Sequence, residues 1–250
     1  MRERPVISKF EDPSALASAL AKKVASRLGK AVTENGKALL LVSGGSTPGR
    51  FFDALSQLSL PWEKICVSLV DERCVAPDHE RSNARLVRER LLVGPAAAAR
   101  FEPLFNPVSE TPDAAAERAD KEIKALGAPD VCVIGMGMDG HTASFFPGGD
   151  NLAAALDPAT KRTVVSMKAP GAGEPRLTIT LPVIASAAML ALHIEGEEKM
   201  AVIGEALNPG PQESLPIRAV LDHAGTHLEI FWTMVPRLAE TLREDWNNER

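Results

Sequence analysis

The sequence predicts an α/β fold in which a mostly parallel central sheet is flanked by helices. Three observations predict it. Short apolar runs rich in β-branched residues alternate with longer stretches of helical periodicity. Glycine-rich turns stand at the exits of two of those runs, at Gly44-Gly45 and at Gly135, Gly137 and Gly140. Of the 250 residues 45% are hydrophobic, which suits the core of one large α/β domain or two small ones.

Asp12-Pro13 supplies a helix N-cap followed by Pro at the first helical position. Leu16, Leu20, Val24 and Leu28 repeat every four residues, so an amphipathic helix runs to about Glu34 and ends at Asn35-Gly36. Residues 37–43 (KALLLVS) predict a strand, 44–48 a turn and 48–56 a short helix. The next strand is 65–70 (ICVSLV), and it ends in Asp71-Glu72-Arg73. Helices are predicted over 81–92 and 112–126, then a buried strand over 130–134. Residues 36–138 thus read strand-helix-strand-helix-helix-strand, the pattern of a parallel sheet with covering helices.

The second half is less regular. Strands are expected over 163–167, 176–180, 189–194 and 228–233, and helices over 197–207, 214–221 and 236–246. No internal repeat and no long linker interrupts the chain, so residues 1–250 read as one domain. Residues 168–175 read as a mobile Gly/Pro-rich loop before a strand.

The net charge of −5, with no basic run, argues against nucleic acid as a main partner. The charged start, MRERPVISKF, does not suit a signal peptide, and the apolar stretch 183–194 is too short to span a membrane. A cytoplasmic protein without a membrane partner is expected. Cys66, Cys74 and Cys132 show no CxxC spacing, so no disulfide framework is expected, and Cys66 and Cys132 read as buried thiols.

Residues 130–147 (DVCVIGMGMDGHTASFFP) hold the most chemistry. A strand runs into three glycines, and Asp139 and His141 sit in the turn. Ligands of open α/β sheets bind beyond the carboxyl ends of the strands. A histidine there is placed to act as a general base, with a carboxylate to fix its tautomer. The plainer alternative is a loop histidine that only hydrogen-bonds. Residues 135–140 match G-x-G-x-x-G literally, but Pro147, Gly148 and Gly149 end any helix within about two turns, so no dinucleotide site is expected.

The turn Ser43-Gly44-Gly45-Ser46-Thr47-Pro48 offers backbone N–H groups, two hydroxyls and a helix N-terminus, which suits a phosphate. A tight turn whose Ser or Thr caps the helix is an equal reading. Asp71-Glu72-Arg73 can orient hydroxyls, move protons or clamp an anion, although three charges in a row more simply form a solvated cluster. Arg176 and Lys199 either pair with a phosphate or lie solvated. His79, His193, His223 and His227 show no metal-ligand spacing, and there is no G-x-S-x-G elbow.

The segments SGGSTP, VDERCVAPDHERSN, GMGMDGHTASFFP, PRLTITLPVI and GEEK, taken in order from Ser43 to Lys199, resemble the 6-phosphogluconolactonases. These belong to the superfamily that also holds the glucosamine-6-phosphate deaminases. The resemblance implies a Rossmann-like three-layer fold and hydrolysis of 6-phosphoglucono-1,5-lactone in the pentose phosphate pathway, without metal or cofactor. It implies that His141 is the base that activates water and Asp139 its supporting carboxylate. Gly44, Gly45, Ser46 and Thr47 would form the substrate-binding loop, with Arg73, Arg176 and Lys199 around the phosphate and lactone. Asp71 matches the catalytic acid of the deaminase branch and joins the substrate-binding set here. The expected partner is a phosphosugar lactone, bound by a monomer.

Two rival functions follow from the same resemblance. One is an amino-sugar phosphate deaminase/isomerase. That branch carries AFNEP where this chain has Ser144-Phe145-Phe146-Pro147, so its catalytic Glu is replaced by Phe146. The other is a non-enzymatic sugar-phosphate sensor, against which the intact Asp139/His141 pair and the lack of an appended DNA-binding domain argue.

Overall fold

The computed structural model describes residues 5–107 and 111–234, so the helix expected over 236–246 lies outside the described residues. The first helix, α1 (Pro13–Asn35), starts where the Asp12 carboxylate accepts from the N–H groups of Ser14 and Ala15, at 2.7 and 2.8 Å. Gly36 closes it in left-handed backbone at φ 74°. The periodic residues Leu16, Leu20, Val24 and Leu28 are fully buried, and α1 packs across the central sheet.

That sheet has seven strands, all parallel. They are β1 (Val6–Phe10), β2 (Ala38–Val42), β3 (Ile65–Leu69), β5 (Arg100–Glu102), β6 (Val131–Ile134), β9 (Leu190–Glu195) and β10 (Leu228–Thr233). The spatial order is β1-β10-β9-β6-β2-β3-β5. Every residue of β2 and β6 is buried, which explains their uninterrupted apolar runs. From β2 the chain steps outward through β3 to β5, then returns to β6 on the other side of β2. Strand order therefore reverses between β2 and β6.

A second, smaller sheet of three antiparallel strands has the order β4 (Asp71–Arg73), β8 (Arg176–Ile179), β7 (Val164–Met167). The helices are α2 (Gly49–Ser56), α3 (Asn83–Arg90), α4 (Pro112–Leu126), α5 (Leu152–Leu156), α6 (Leu181–Ala185), α7 (Glu197–Ala206) and α8 (Ile217–Ala224). Helix α4 packs against β7, and α7 packs against β9.

The α/β class and the parallel central sheet are as the sequence predicts. Several details differ. The expected strands 163–167 and 176–180 form, but in the separate antiparallel sheet, with Asp71–Arg73 as their third member. Strand β1, read only as a charged start, pairs with β10 at the sheet edge, where half-polar residues suffice. Helix α3 begins at Asn83 rather than 81, because the Ser82 hydroxyl caps it by accepting from Arg85 N–H at 3.2 Å. Helix α8 begins at Ile217 rather than 214, since Pro216 biases the residue before it away from helix. No helix opens at Gly140: residues 141–151 run through turns, so the G-x-G-x-x-G spelling lacks the structure it would need. Cys132 is buried, while Cys66 is half-buried rather than buried. Among the described residues no helix is long and apolar enough to cross a membrane.

Asp12→Ala removes the acceptor for two N–H groups at the start of α1. It is expected to destabilise the protein by about 1 kcal/mol. The measure is a lower urea midpoint at unchanged slope; an unmoved midpoint would mean that water caps the helix equally well.

Candidate active site

Strands β2 and β6 end side by side, and their exits are tied together. Ser43 N–H donates to the Val133 carbonyl at 2.9 Å, and Gly135 N–H donates to Ser43 Oγ at 3.3 Å. The cleft above them measures about 260 Å³. Gly44, Gly45, Ser46, Thr47, Asp71, Arg73, His141, Arg176 and Lys199 all line it. Of the ten residues singled out from the sequence, only Asp139 stands behind the wall, and it touches His141.

The turn after β6 is tight. Gly137 N–H donates to the His141 carbonyl at 2.9 Å, and Gly140 N–H to the Gly137 carbonyl at 3.1 Å. Asp139 Oδ1 lies 2.5 Å from His141 Nδ1 and also accepts from His141 N–H at 3.2 Å. A carboxylate can only accept, so Nδ1 carries the proton and Nε2 keeps a free lone pair. Gly137 is required by this packing: a Cβ there would lie 2.2 Å from His141 Cε1 and 2.7 Å from Asp139 Oδ1. The imidazole stacks on Phe146, with centroids 4.3 Å apart and planes at 27°.

The opposite wall comes from the small sheet. In its register Arg73 faces Arg176 directly. Arg176 is 5% exposed; its Nη2 donates to the Ala172 carbonyl at 2.6 Å, and its Nη1 lies 3.8 Å from Asp71 Oδ2. Burial lowers the pKa of this guanidinium, opposed by the Asp71 charge. Its carbon centre sits 5.5 Å from the Phe146 ring. Asp71 is buried too, and Oδ2 accepts from the Ser144 hydroxyl at 2.7 Å. The solvated cluster that the plainer reading of 71–73 suggested does not form.

Glu72 faces away from the cleft and has a structural task. Its carboxylate accepts from the N–H groups of Arg73, Asn83 and Ala84 at 2.7 to 2.8 Å, which pins the start of α3 to β4. Burial pushes this carboxyl up, against the pull of those donors. The end of the cleft beside α7 carries Lys199, whose amine burial pushes below its ordinary value while the Glu195 carboxylate holds it back. The loop 168–175, expected to be mobile, is tied down at both ends: Cys74 N–H donates to the Pro175 carbonyl at 2.8 Å, and Lys168 N–H to Asp150 at 2.8 Å.

Asn83, Ser144 and His193 also belong to the site or its wall, and sequence reasoning missed them as such. Asn83 closes the quoted segment VDERCVAPDHERSN, yet an amide beside a helix start reads as a cap. His193 lies inside an apolar strand, and both its ring nitrogens are buried without a hydrogen-bond partner. Among the described residues no three His, Cys, Asp or Glu side chains converge as a metal cage.

The arrangement offers a base with a fixed tautomer, a cleft lined by two arginines, a lysine and loop N–H groups, and buried acceptors for hydroxyls. It can open an acyl bond in a small anionic ligand.

Comparison with known proteins agrees with this chemistry. The family model described as glucosamine-6-phosphate isomerases/6-phosphogluconolactonase matches residues 11–232. A 6-phosphogluconolactonase of Rhizobium meliloti (strain 1021) is 54% identical over 224 residues, covering 89% of this chain and 96% of its own. One from Pseudomonas putida is 42% identical over 226 residues, covering 90% and 92%. The crystal structure of a 6-phosphogluconolactonase from Shewanella baltica OS155 superposes with TM-score 0.89 at 40% identity, covering 93% of this chain and 99% of that one.

Cys74, next to Arg73, tests whether thiol chemistry has a place here. Burial first, then the Glu72 charge, push its thiol up to about 12. A raised pKa keeps the reactive thiolate scarce at pH 8. Iodoacetamide at pH 8 is therefore expected to leave Cys74 unmodified in the native protein and to label it in urea, read by mass spectrometry. Rapid labelling of the native protein would reopen the question.

Proposed function

The chain belongs to the glucosamine-6-phosphate isomerase/6-phosphogluconolactonase family, and we propose that it hydrolyses 6-phosphoglucono-1,5-lactone to 6-phosphogluconate by water that His141 activates. This is a step of the oxidative branch of the pentose phosphate pathway. The observation that carries the reading is the Asp139–His141 pair, with Nδ1 engaged and Nε2 free, at the rim of a cleft rich in cationic and N–H donors.

The geometry supports the following steps. The substrate phosphate is held by the N–H groups and hydroxyls of residues 43–47, with Lys199 and Arg176 supplying charge. That remote binding energy sets the lactone carbonyl beside His141. Nε2 takes a proton as water adds to C1, and the new oxyanion is met by the Arg73 guanidinium. As the C1–O5 bond breaks, the imidazolium returns the proton to O5, which leaves as the 5-hydroxyl. The new carboxylic acid then ionises. Asp139 keeps its charge throughout and stabilises the transient imidazolium, as the carboxylate of a catalytic triad does.

Phe146 favours hydrolysis over deamination. Deamination moves a proton between two carbons and expels ammonia, which calls for several coordinated acid and base groups. The Phe146 ring offers stacking but neither charge nor an acceptor. A monomer is proposed, since the nine cleft-lining residues and Asp139 come together within a single chain. Three free thiols fit the reducing cytoplasm.

The deciding assay follows acid release from 6-phosphogluconolactone against the spontaneous rate, with ammonia release from glucosamine 6-phosphate in parallel. Accelerated lactone opening and no ammonia are expected; ammonia without lactone opening would sink the proposal. His141→Ala should fold normally and lose kcat by roughly 10²–10⁴, while near-normal turnover would remove His141 from the mechanism.

Arg176→Ala and Lys199→Ala should mainly raise KM. Loss of one charge-assisted hydrogen bond costs about 1.5–3 kcal/mol, roughly ten- to a hundredfold. Wild-type KM in both variants would place the phosphate elsewhere.

A further inference from the structure

Resting on the reading of residues 43–47 as the anion loop, we propose that Asn83 is a positioning residue: its carboxamide is a rigid wedge that holds Gly44 and so aims the loop's N–H groups at the bound phosphate. Asn83 is the first residue of α3 and is 2% exposed. Its backbone cannot drift, because its N–H and that of Ala84 donate to the two oxygens of the buried Glu72 carboxylate at 2.8 and 2.7 Å. Its side chain is oriented as well. Nδ2 donates to the Asp71 carbonyl at 2.8 Å, a bond that only the amide NH₂ can make, so Oδ1 is turned away from Asp71. That oxygen is buried and has no hydrogen-bond partner.

The face of the amide lies against Gly44. A Cβ on Gly44 would stand 2.0 Å from Asn83 Oδ1, 2.2 Å from Cγ and 2.9 Å from Cβ. The two neighbouring glycines are therefore glycines for different reasons. Gly45 has φ 96°, which side chains rarely adopt. Gly44 is outside the left-handed region, so its φ sets no bar to a side chain. The three atoms nearest to where a side chain would stand there all belong to Asn83. A buried acceptor left without a donor is a cost that folds avoid, and it is retained here where the amide binds one wall of the cleft to the other. Asn83 couples Asp71, at the start of β4, to the loop that leaves β2.

A double-mutant cycle tests this with wild type, Gly44→Ala, Asn83→Gly and the double variant. Glycine is chosen at 83 because an alanine Cβ would still crowd the new methyl, at 2.9 Å. The readouts are the Kd of inorganic phosphate by calorimetry, KM and kcat for the lactone, and the melting temperature as folding control. Gly44→Ala should weaken phosphate binding and raise KM by about a hundredfold, the scale of a displaced positioning group. Asn83→Gly should cost about tenfold in the same two quantities, with kcat changed less. In the double variant Gly44→Ala should add less than about threefold, because the methyl occupies the vacated space.

Losses that multiply, or a Gly44→Ala protein that binds phosphate like wild type, overturn the role. If Gly44→Ala does not fold alone, recovery of folded, phosphate-binding protein on adding Asn83→Gly supports it, and lack of recovery overturns it. Wild type that binds phosphate without opening lactone would end the proposed reaction and leave the Asn83 coupling readable in Kd. Wild type that binds no phosphate would overturn both.

Discussion

The parallel pairing of β2 with β6 is the constraint on which the site depends. Leu40, Leu41 and Val42 stand in register with Val131, Cys132 and Val133, all buried. Because the strand order reverses there, the loops leaving the two strands diverge and open a crevice between them. One loop is Gly44–Thr47 in sequence and the other carries Asp139 and His141, so the turn proposed to hold the anion and the proposed base come together although nearly a hundred positions separate them. The apolar core that buries both strands supplies the rigidity, at roughly 25 cal/mol for each Å² of apolar surface removed from water. Polar links then set the fine geometry, through Ser43 and Gly135.

The small antiparallel sheet shows where stability yields to function. Pairing β4 with β8 sets Arg73 directly opposite Arg176, and like charges across a strand pair repel. Both arginines have a buried Nε without a hydrogen-bond partner. A core chosen for stability alone would not hold two guanidinium groups this way. The arrangement is compensated locally by Asp71 near Arg176 and by the Arg81 carbonyl, which accepts from Arg73. Both guanidinium groups line the cleft, where the proposed anionic substrate would share their charge. Glu72, between the two cleft-lining residues of β4, carries the mechanical load by fixing α3 to the strand.

How much of this was legible in the sequence depends on the type of signal. Continuous apolar runs such as Leu39–Val42 and Val131–Ile134 announce buried parallel strands without ambiguity of face. The Asp139/His141 turn was legible because the glycines around it have few other uses. The edge strand β1 was not, since Val6, Ser8 and Lys9 carry no continuous apolar signal and the pairing with β10 is set more than two hundred residues away. Asp71-Glu72-Arg73 was ambiguous for a physical reason: three consecutive charges are normally solvated, and only a partner strand, β8, makes them a wall. Glu72 and Asn83 share one difficulty. Their tasks are contacts with backbone groups close in space, and no spacing rule in the sequence encodes those.

The position of Phe146 connects packing to the choice of chemistry. Its ring lies under the His141 imidazole and within 5.5 Å of the Arg176 guanidinium. A carboxylate in that place, as the resemblance puts in the deaminase branch, would face the Arg176 guanidinium and the His141 imidazole. It would compete with the substrate for Arg176, and it would draw a proton onto His141, consuming the lone pair a hydrolytic base needs. An aromatic ring has the opposite effect. It stacks on the imidazole and its face attracts the guanidinium weakly without neutralising it, so under the proposed reaction Arg176 stays open to an anionic ligand and Nε2 to water. Under the proposed reaction, a ring at this position in place of a carboxylate suits a single addition of water rather than a multi-step proton transfer.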